Sequence, residues 1–238
     1  MGQLMTALSI IIPCYNERAN LPLLLDQCAK AYTRPDIEVI LVDNGSIDET
    51  ASYLAQSLTE HAFARSIRVP VNRGYGHGII AGLREAKGDV LSWTHADMQT
   101  NPGDVLRGLA LFERARDPTR IFVKGLRYGR PIGDGLFTTG MSAFETVLLC
   151  TPMRDINAQP TMFPQSFFTQ WQNPPDDFSL DLYAYFMAHR EGLEIKRFPV
   201  LFGKRASGMS HWNISPSAKY KFIRRTIQYS LKLKRELK

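Results

Sequence analysis

Residues 38–58 read EVILVDNGSIDETASYLAQSL, and a strand gives way to a helix inside them. Glu38–Val42 is an apolar, β-branched run of strand length. Asp43-Asn44-Gly45 follows as turn chemistry. Ser46-Ile47-Asp48-Glu49 has capping-box spacing, with Ser46 capping and Glu49 reaching back, and predicts a helix through about Leu58.

The same unit recurs on either side. Leu8–Ile12 reads as a strand with a helix near Leu21–Ala31. Ile67–Val69 is a short strand followed by a helix over Gly78–Ala86. Val90–Trp93 is a strand followed by a helix over Pro102–Ala115, with proline early in its first turn. This alternation implies an α/β fold with a mostly parallel central sheet flanked by helices and joined by right-handed crossovers. Ligands of such sheets sit at the carboxyl ends of the strands. The second half is less regular: a strand at Ile121–Val123, helices at Ser142–Leu149 and Leu180–Arg190, a strand at Leu193–Val200 and a closing helix over Ala218–Leu237. There is no internal repeat, low-complexity tract or long linker.

The first four strand ends carry PCYNE (Pro13–Glu17), DNGSIDET (Asp43–Thr50), NRGYGHG (Asn72–Gly78) and HADMQ (His95–Gln99). In an extended chain His95, Asp97 and Gln99 would share one face, presenting an imidazole, a carboxylate and an amide in a row. A dinucleotide-binding oxidoreductase is excluded, because Pro-Cys-Tyr-Asn-Glu lacks the glycines that admit a pyrophosphate. The spacing Gly74-x-Gly76-x-Gly78 is also wrong and falls in the third unit.

Together SIIIPCYNE, VDNGSIDET, NRGYGHG and HADMQTNP resemble the ordered motifs of the family 2 glycosyltransferases over roughly residues 6–116. VKGLRYG, MRDINAQPTMFPQSF and FGKRASGMS match more loosely. The resemblance implies a GT-A fold, the Rossmann-like fold of nucleotide-diphospho-sugar transferases, and within the family it is nearest to polyprenyl- and dolichyl-phosphate sugar transferases. It implies that Pro13, Tyr15 and Glu17 contact the base of a nucleotide-sugar donor. Asp43 would hold the base or ribose with Ser46 nearby, while Arg73, Gly74 and Gly76 let the backbone approach the nucleotide. Asp97 and Gln99 would ligate a divalent metal, Mn²⁺ or Mg²⁺, that neutralises the departing diphosphate.

The family pattern normally has aspartate where this chain has His95. As a metal ligand, imidazole would favour Mn²⁺ over Mg²⁺; the alternatives are a direct hydrogen bond to phosphate and a structural strand-end role. Arg127 and Arg205, with Ser142 and Ser210, fall in regions resembling the acceptor-phosphate and donor-diphosphate contacts of the lipid-phosphate enzymes. The resemblance implies Arg127 and Ser142 for the acceptor and Arg205 for the donor. Arginine suits that task through its planar fork. Asp155 is the candidate for a base or for a carboxylate that orients an arginine. The stretch LFTTGMS (Leu136–Ser142) lacks an arginine common in that group, and Ser210-His211-Trp212 stands where Ser-Lys is usual. The expectation is a metal-dependent, inverting transferase acting on a polyprenyl-phosphate acceptor. A saccharide acceptor in cell-surface glycan synthesis and a degenerate nucleotide-sugar binding module are the rivals.

Composition bounds the setting. The chain has 238 residues, 44% hydrophobic, enough for one large domain. No apolar run reaches the roughly 20 residues of a membrane span, and no export signal is visible. Three unpaired, widely spaced cysteines (Cys14, Cys28, Cys150) fit reduced thiols and a cytoplasmic setting. Residues 216–238 carry eight basic side chains and one acid, so their +7 exceeds the chain's +6 and leaves the remainder at −1. Nucleic acid is therefore not an expected partner. The expected division is a transferase domain over 1–215 and a basic amphipathic helix over 216–238. Tyr220, Ile223, Ile227 and Leu231 form its apolar stripe, for an anionic membrane surface at the inner face of the cytoplasmic membrane.

Overall fold

The computed structural model describes residues 8–206 and 216–236. Strands β1 (Leu8–Cys14), β2 (Ile37–Asn44), β3 (Ala64–Val69) and β4 (Val90–Trp93) alternate with helices α1 (Leu21–Ala31), α2 (Thr50–Ser57) and α3 (Tyr75–Glu85). There follow α4 (Asp104–Glu113), β5 (Ile121–Tyr128), α5 (Ile132–Leu149), β6 (Thr161–Pro164), α6 (Gln165–Phe168), α7 (Leu180–Arg190), β7 (Glu194–Leu201) and α8 (Pro216–Glu236). The sheet order is β3-β2-β1-β4-β6-β5-β7, with β6 antiparallel to both neighbours. The chain runs outward from β1 to β2 and β3, then returns to place β4 on the other side of β1. A sheet of this type opens a ligand crevice at that reversal.

The apolar strands are continuous because both faces of the sheet are covered. Ile10, Ile12, Val39 and Leu41 point into a core with α1 and α4, whereas Ile11, Ile40 and Val42 point into a second core with α3 and α7. Register pairs Cys14 with Asp43 and Ile11 with Trp93, so the motif-bearing ends leave from one edge.

Several expectations are corrected. The capping box does not form: Glu49 is the N-cap of α2 and makes no side-chain cap bond. Asp48 Oδ1 instead accepts from Thr50 N at 3.0 Å, and Ser46 is engaged elsewhere. α5 begins at Ile132, ten residues before the expected Ser142. Its glycines and threonines disfavour helix locally, and Thr138 and Thr139 return hydroxyl bonds to the carbonyls four residues back. β6 was not expected at all; it is a four-residue buried strand beginning just after Pro160 and ending at Pro164.

The closing helix packs against the domain. Ser230 and Leu233 of α8 are buried, and Ser230 Oγ donates to Glu145 Oε1 on α5 at 2.7 Å. Of the expected stripe, Ile223 and Ile227 are half-buried, whereas Tyr220 and Leu231 face outward. Among the described residues no helix is long and apolar enough to cross a membrane.

Burial pushes the Glu145 carboxyl up to about 7, and the Ser230 hydroxyl only partly opposes this. A carboxyl raised on folding contributes stability that is present below its unfolded pKa and is lost as pH rises through the folded value, here from about 4.5 to about 7. Glu145→Gln should therefore raise the melting temperature at pH 8 by about 2–4 °C and have no effect near pH 4. Thermal melts of both proteins across that range provide the measurement.

Candidate active site

A cleft of about 420 Å³ lies at the carboxyl ends of β1 and β4. Pro13, Tyr15, Glu17, Gly74, His95, Asp97, Gln99, Arg127 and Arg205, all expected from sequence, line it. The loops are fastened to one another. Asn16, at φ 55°, donates its N–H to Ser46 Oγ at 3.0 Å, and Asn16 Oδ1 accepts from Ile47 N at 2.9 Å. Glu17 N donates to Thr50 Oγ1 at 3.0 Å. The Ser46 hydroxyl therefore locks two loops and does not line the cleft.

Asp43 is 2% exposed and stands behind the cleft wall at Asn44. Its Oδ1 accepts from Ser46 N at 3.0 Å. Arg68 Nε lies 3.3 Å from Oδ2 but out of hydrogen-bond alignment, so that buried oxygen has no hydrogen-bond donor.

The His95-Asp97-Gln99 alternation is broken, because the chain leaves β4 at Trp93 and Met98 takes φ 60°. The three side chains nevertheless reach the same cleft. Gln99 N donates to Asp97 Oδ1 at 3.1 Å, and Gln99 Nε2 donates to Gly203 O at 3.3 Å. Gly203 N and Ala206 N donate to the carbonyls of Gln99 and Asp97, which brings Arg205 over the site. Arg205 Nη2 donates to Asp97 Oδ2 at 2.8 Å, and its Nη1 lies 3.9 Å from Glu17 Oε1. Burial pushes the Glu17 carboxyl up, against the hydrogen bond from Asn20 and the charge of Arg205. His95 stacks on Tyr75 at 5.4 Å, and Tyr75 on Phe178 at 4.7 Å. Burial holds the imidazole below its usual range; Asp97 and Asp181 pull it up, while Arg127 and Arg205 pull it down.

At the other end, Arg127 is clamped by Asp155. Its backbone N–H donates to Asp155 Oδ2 at 2.8 Å, its Nε donates to Oδ1 at 2.9 Å, and Nη2 makes a further bond to Oδ1. Arg130 Nη1 lies 3.6 Å from the same Oδ1. Both guanidinium groups lie over the Phe202 ring, at 5.2 and 5.6 Å. Burial alone would raise the Asp155 carboxyl, but the Arg127 hydrogen bonds and the arginine charges hold it below the usual carboxylate range. Asp155 thus orients arginine, and both its oxygens are engaged in doing so. Ser142 Oγ accepts from Asp155 N at 3.1 Å and lines a side pocket next to the cleft, not the cleft itself.

Gly74 and Gly76 also meet another stretch of this chain. A Cβ on Gly74 would sit 2.4 Å from Asp176 O, and one on Gly76 2.4 Å from Pro175 O. The close approach they permit is by residues 175–177 of this chain. Arg73 is exposed, 3.9 Å from Asp176. Ser210 and Ser210-His211-Trp212 lie outside the described residues. Sequence reasoning missed Arg130, Tyr75, Phe178 and Asp181, all of which line the cleft. Arg130, three residues after Arg127, was the legible one; Asp181 carries no local signal.

The family model described as Glycosyl transferase family 2 matches residues 9–194. An undecaprenyl-phosphate 4-deoxy-4-formamido-L-arabinose transferase of Pseudomonas savastanoi pv. phaseolicola is 40% identical over 113 residues, 46% of this chain and 33% of that relative. One of the same name from Yersinia enterocolitica is 37% identical over 114 residues, 46% and 34% of the two chains. The match thus spans about a third of the curated relatives' length. Among solved structures, glucosyl-3-phosphoglycerate synthase from Mycobacterium tuberculosis, in complex with Mn²⁺, UDP-glucose and phosphoglyceric acid, superposes with TM-score 0.73 at 18% identity, covering 96% of this chain and 79% of that one. A mannosyltransferase from Pyrobaculum calidifontis, in complex with GDP-mannose and Mn²⁺, gives 0.68 at 21% identity, covering 93% and 65%. At these identities the likeness shows the shared fold, which is GT-A.

Proposed function

Since the chain belongs to glycosyl transferase family 2, we propose that it moves a sugar from a nucleotide-sugar donor to a polyprenyl phosphate. The observation that carries this reading is the pair Arg127 and Arg130, fixed by Asp155 and Phe202 on the cleft wall. An acceptor that is already anionic needs positioning more than deprotonation, and clamped guanidinium groups provide it. The names of the relatives, which specify undecaprenyl phosphate, point the same way.

The donor would lie along Pro13, Tyr15 and Glu17, with Asp43 behind that wall holding the Ser46 backbone. Gly74 lies in the wall beside it, and Arg205 is placed for the diphosphate. Among the described residues no three His, Cys, Asp or Glu side chains form a group that could hold a metal. The donor set of Asp97, Gln99 and His95 fits a divalent cation only if diphosphate oxygens complete its shell, a common arrangement for Mg²⁺. The buried Asp97 carboxylate, already facing the positive Arg205, suits that position. Such a cation, Mn²⁺ or Mg²⁺, would neutralise charge developing on the leaving diphosphate. Burial lowers the pKa of His95 and so favours the neutral imidazole that a metal ligand requires.

A lipid acceptor calls for a membrane surface. α5 turns Leu136, Phe137, Phe144 and Val147 outward with no charged residue among them, and the basic α8 packs beside it. Peripheral association through these two helices fits the reading. The test is transfer of labelled sugar from a panel of sugar nucleotides, with Mn²⁺, to undecaprenyl phosphate in vesicles. Labelled lipid should form; label passing only to free saccharides, or none at all, rejects this acceptor.

A further inference from the structure

The cleft wall rests on a buried ion pair that the transfer chemistry described so far does not use. Lys124 on β5 is 0% exposed; its Nζ donates to Thr161 Oγ1 at 2.5 Å and to Asp181 Oδ1 at 3.0 Å. Asp181, in the first turn of α7, is 1% exposed but lines the cleft. Gln159 Nε2 donates to the same Oδ1 at 3.0 Å and lies 3.2 Å from Tyr75 Oη. The network therefore continues into the His95–Tyr75–Phe178 stack.

A fully buried ammonium is expensive, and an apolar side chain of similar length would fill its space at lower cost. What the pair provides is a carboxyl group held in place at the cleft wall. Lys124 Nζ and Gln159 Nε2, and Thr161 Oγ1 at 3.5 Å, converge on Oδ1, which fixes the direction of the group. Carboxyl oxygens accept hydrogen bonds, so a hydroxyl is a natural partner. Asp181 shares the cleft with His95, Asp97, Arg127 and Arg205. On the proposed reading, the transferred sugar would lie there between the diphosphate end and the acceptor end.

We propose that Asp181 is a subsite for a hydroxyl of the transferred sugar, and that Lys124 is the positioning residue holding its carboxylate towards the cleft. This rests on reading the cleft as a sugar-nucleotide site. It is independent of the acceptor.

The experiment compares two affinities by calorimetry with Mn²⁺: UDP, GDP, CDP and dTDP against their hexose conjugates. The wild type should prefer one conjugate over its bare diphosphate. Asp181→Asn and Lys124→Met should each reduce that preference about tenfold or more, roughly 1.4 kcal/mol, leaving the bare diphosphate's affinity within about twofold. The double variant should be no worse than either single one. A purely structural role for the pair would instead lower both affinities together or leave the preference unchanged, and either result overturns the subsite. Asp181→Asn keeps the shape of the carboxyl, so it decides the matter even if Lys124→Met does not fold. If the wild type binds no member of the panel, the sugar-nucleotide reading fails first and the subsite with it.

Discussion

Asp97→Asn should lower turnover about 10²–10³-fold, the scale on which removing a preorganised charge partner from an active site acts. Asp97 is buried at the cleft wall and holds both the Gln99 backbone and the Arg205 guanidinium. Asparagine keeps the shape but removes the charge that both a cation and Arg205 require. Two readouts separate these roles. If Asp97 holds the cation, Mn²⁺ should tighten nucleoside diphosphate binding in the wild type and no longer do so in the variant. If it serves only Arg205, the Mn²⁺ effect survives and affinity without metal changes. His95→Asp belongs to the same test: an added carboxylate should move the metal preference from Mn²⁺ towards Mg²⁺ if residue 95 reaches the cation. An unchanged preference would make His95 part of the Tyr75 stack and nothing more.

Arg127→Met should cost about 3–5 kcal/mol of stability, because it strands a buried carboxylate, and so lower the melting temperature by roughly 6–20 °C. The Arg127 and Asp155 side chains are 10% and 9% exposed. Arg130, 3.6 Å from the same oxygen, should hold the loss towards the lower end. A carboxyl held below its usual range contributes stability that is present above its unfolded pKa and is lost only as pH falls through the folded value. The penalty should therefore be full at pH 7 and shrink in strong acid. The double variant Arg127→Met/Asp155→Asn removes the stranded carboxylate and leaves only Arg130 without that partner, so it should recover part of the stability. It should not recover transfer if Arg127 positions the acceptor phosphate as proposed, since the guanidinium is still missing. Recovery of both would mean that Arg127 only packs.

The first four strand–helix units could be read from sequence because each is local. A short apolar run such as Glu38–Val42 followed by turn residues needs no distant partner to be recognised. The motifs at the strand ends are contiguous for the same reason, and Tyr15, Glu17, Asp97 and Gln99 line the cleft as their motifs implied. Local spacing failed where side chains had long-range business. Ser46 looked like a helix cap but bonds Asn16, thirty residues away. Gly74 and Gly76 admit the close approach of residues 175–177, about a hundred positions on, which no local pattern signals. β6 has too few residues for a periodic signal and exists because β4 and β5 accept it edge to edge. The Lys124–Asp181 pair joins residues 57 positions apart that nothing in either neighbourhood marks. The sequence by itself determined the alternation of strands and helices and the sheet edge at which the motifs meet, both set by short-range periodicity and backbone chemistry. Tertiary structure alone decided which charges meet, because burial and ion pairing depend on distance in space and not along the chain.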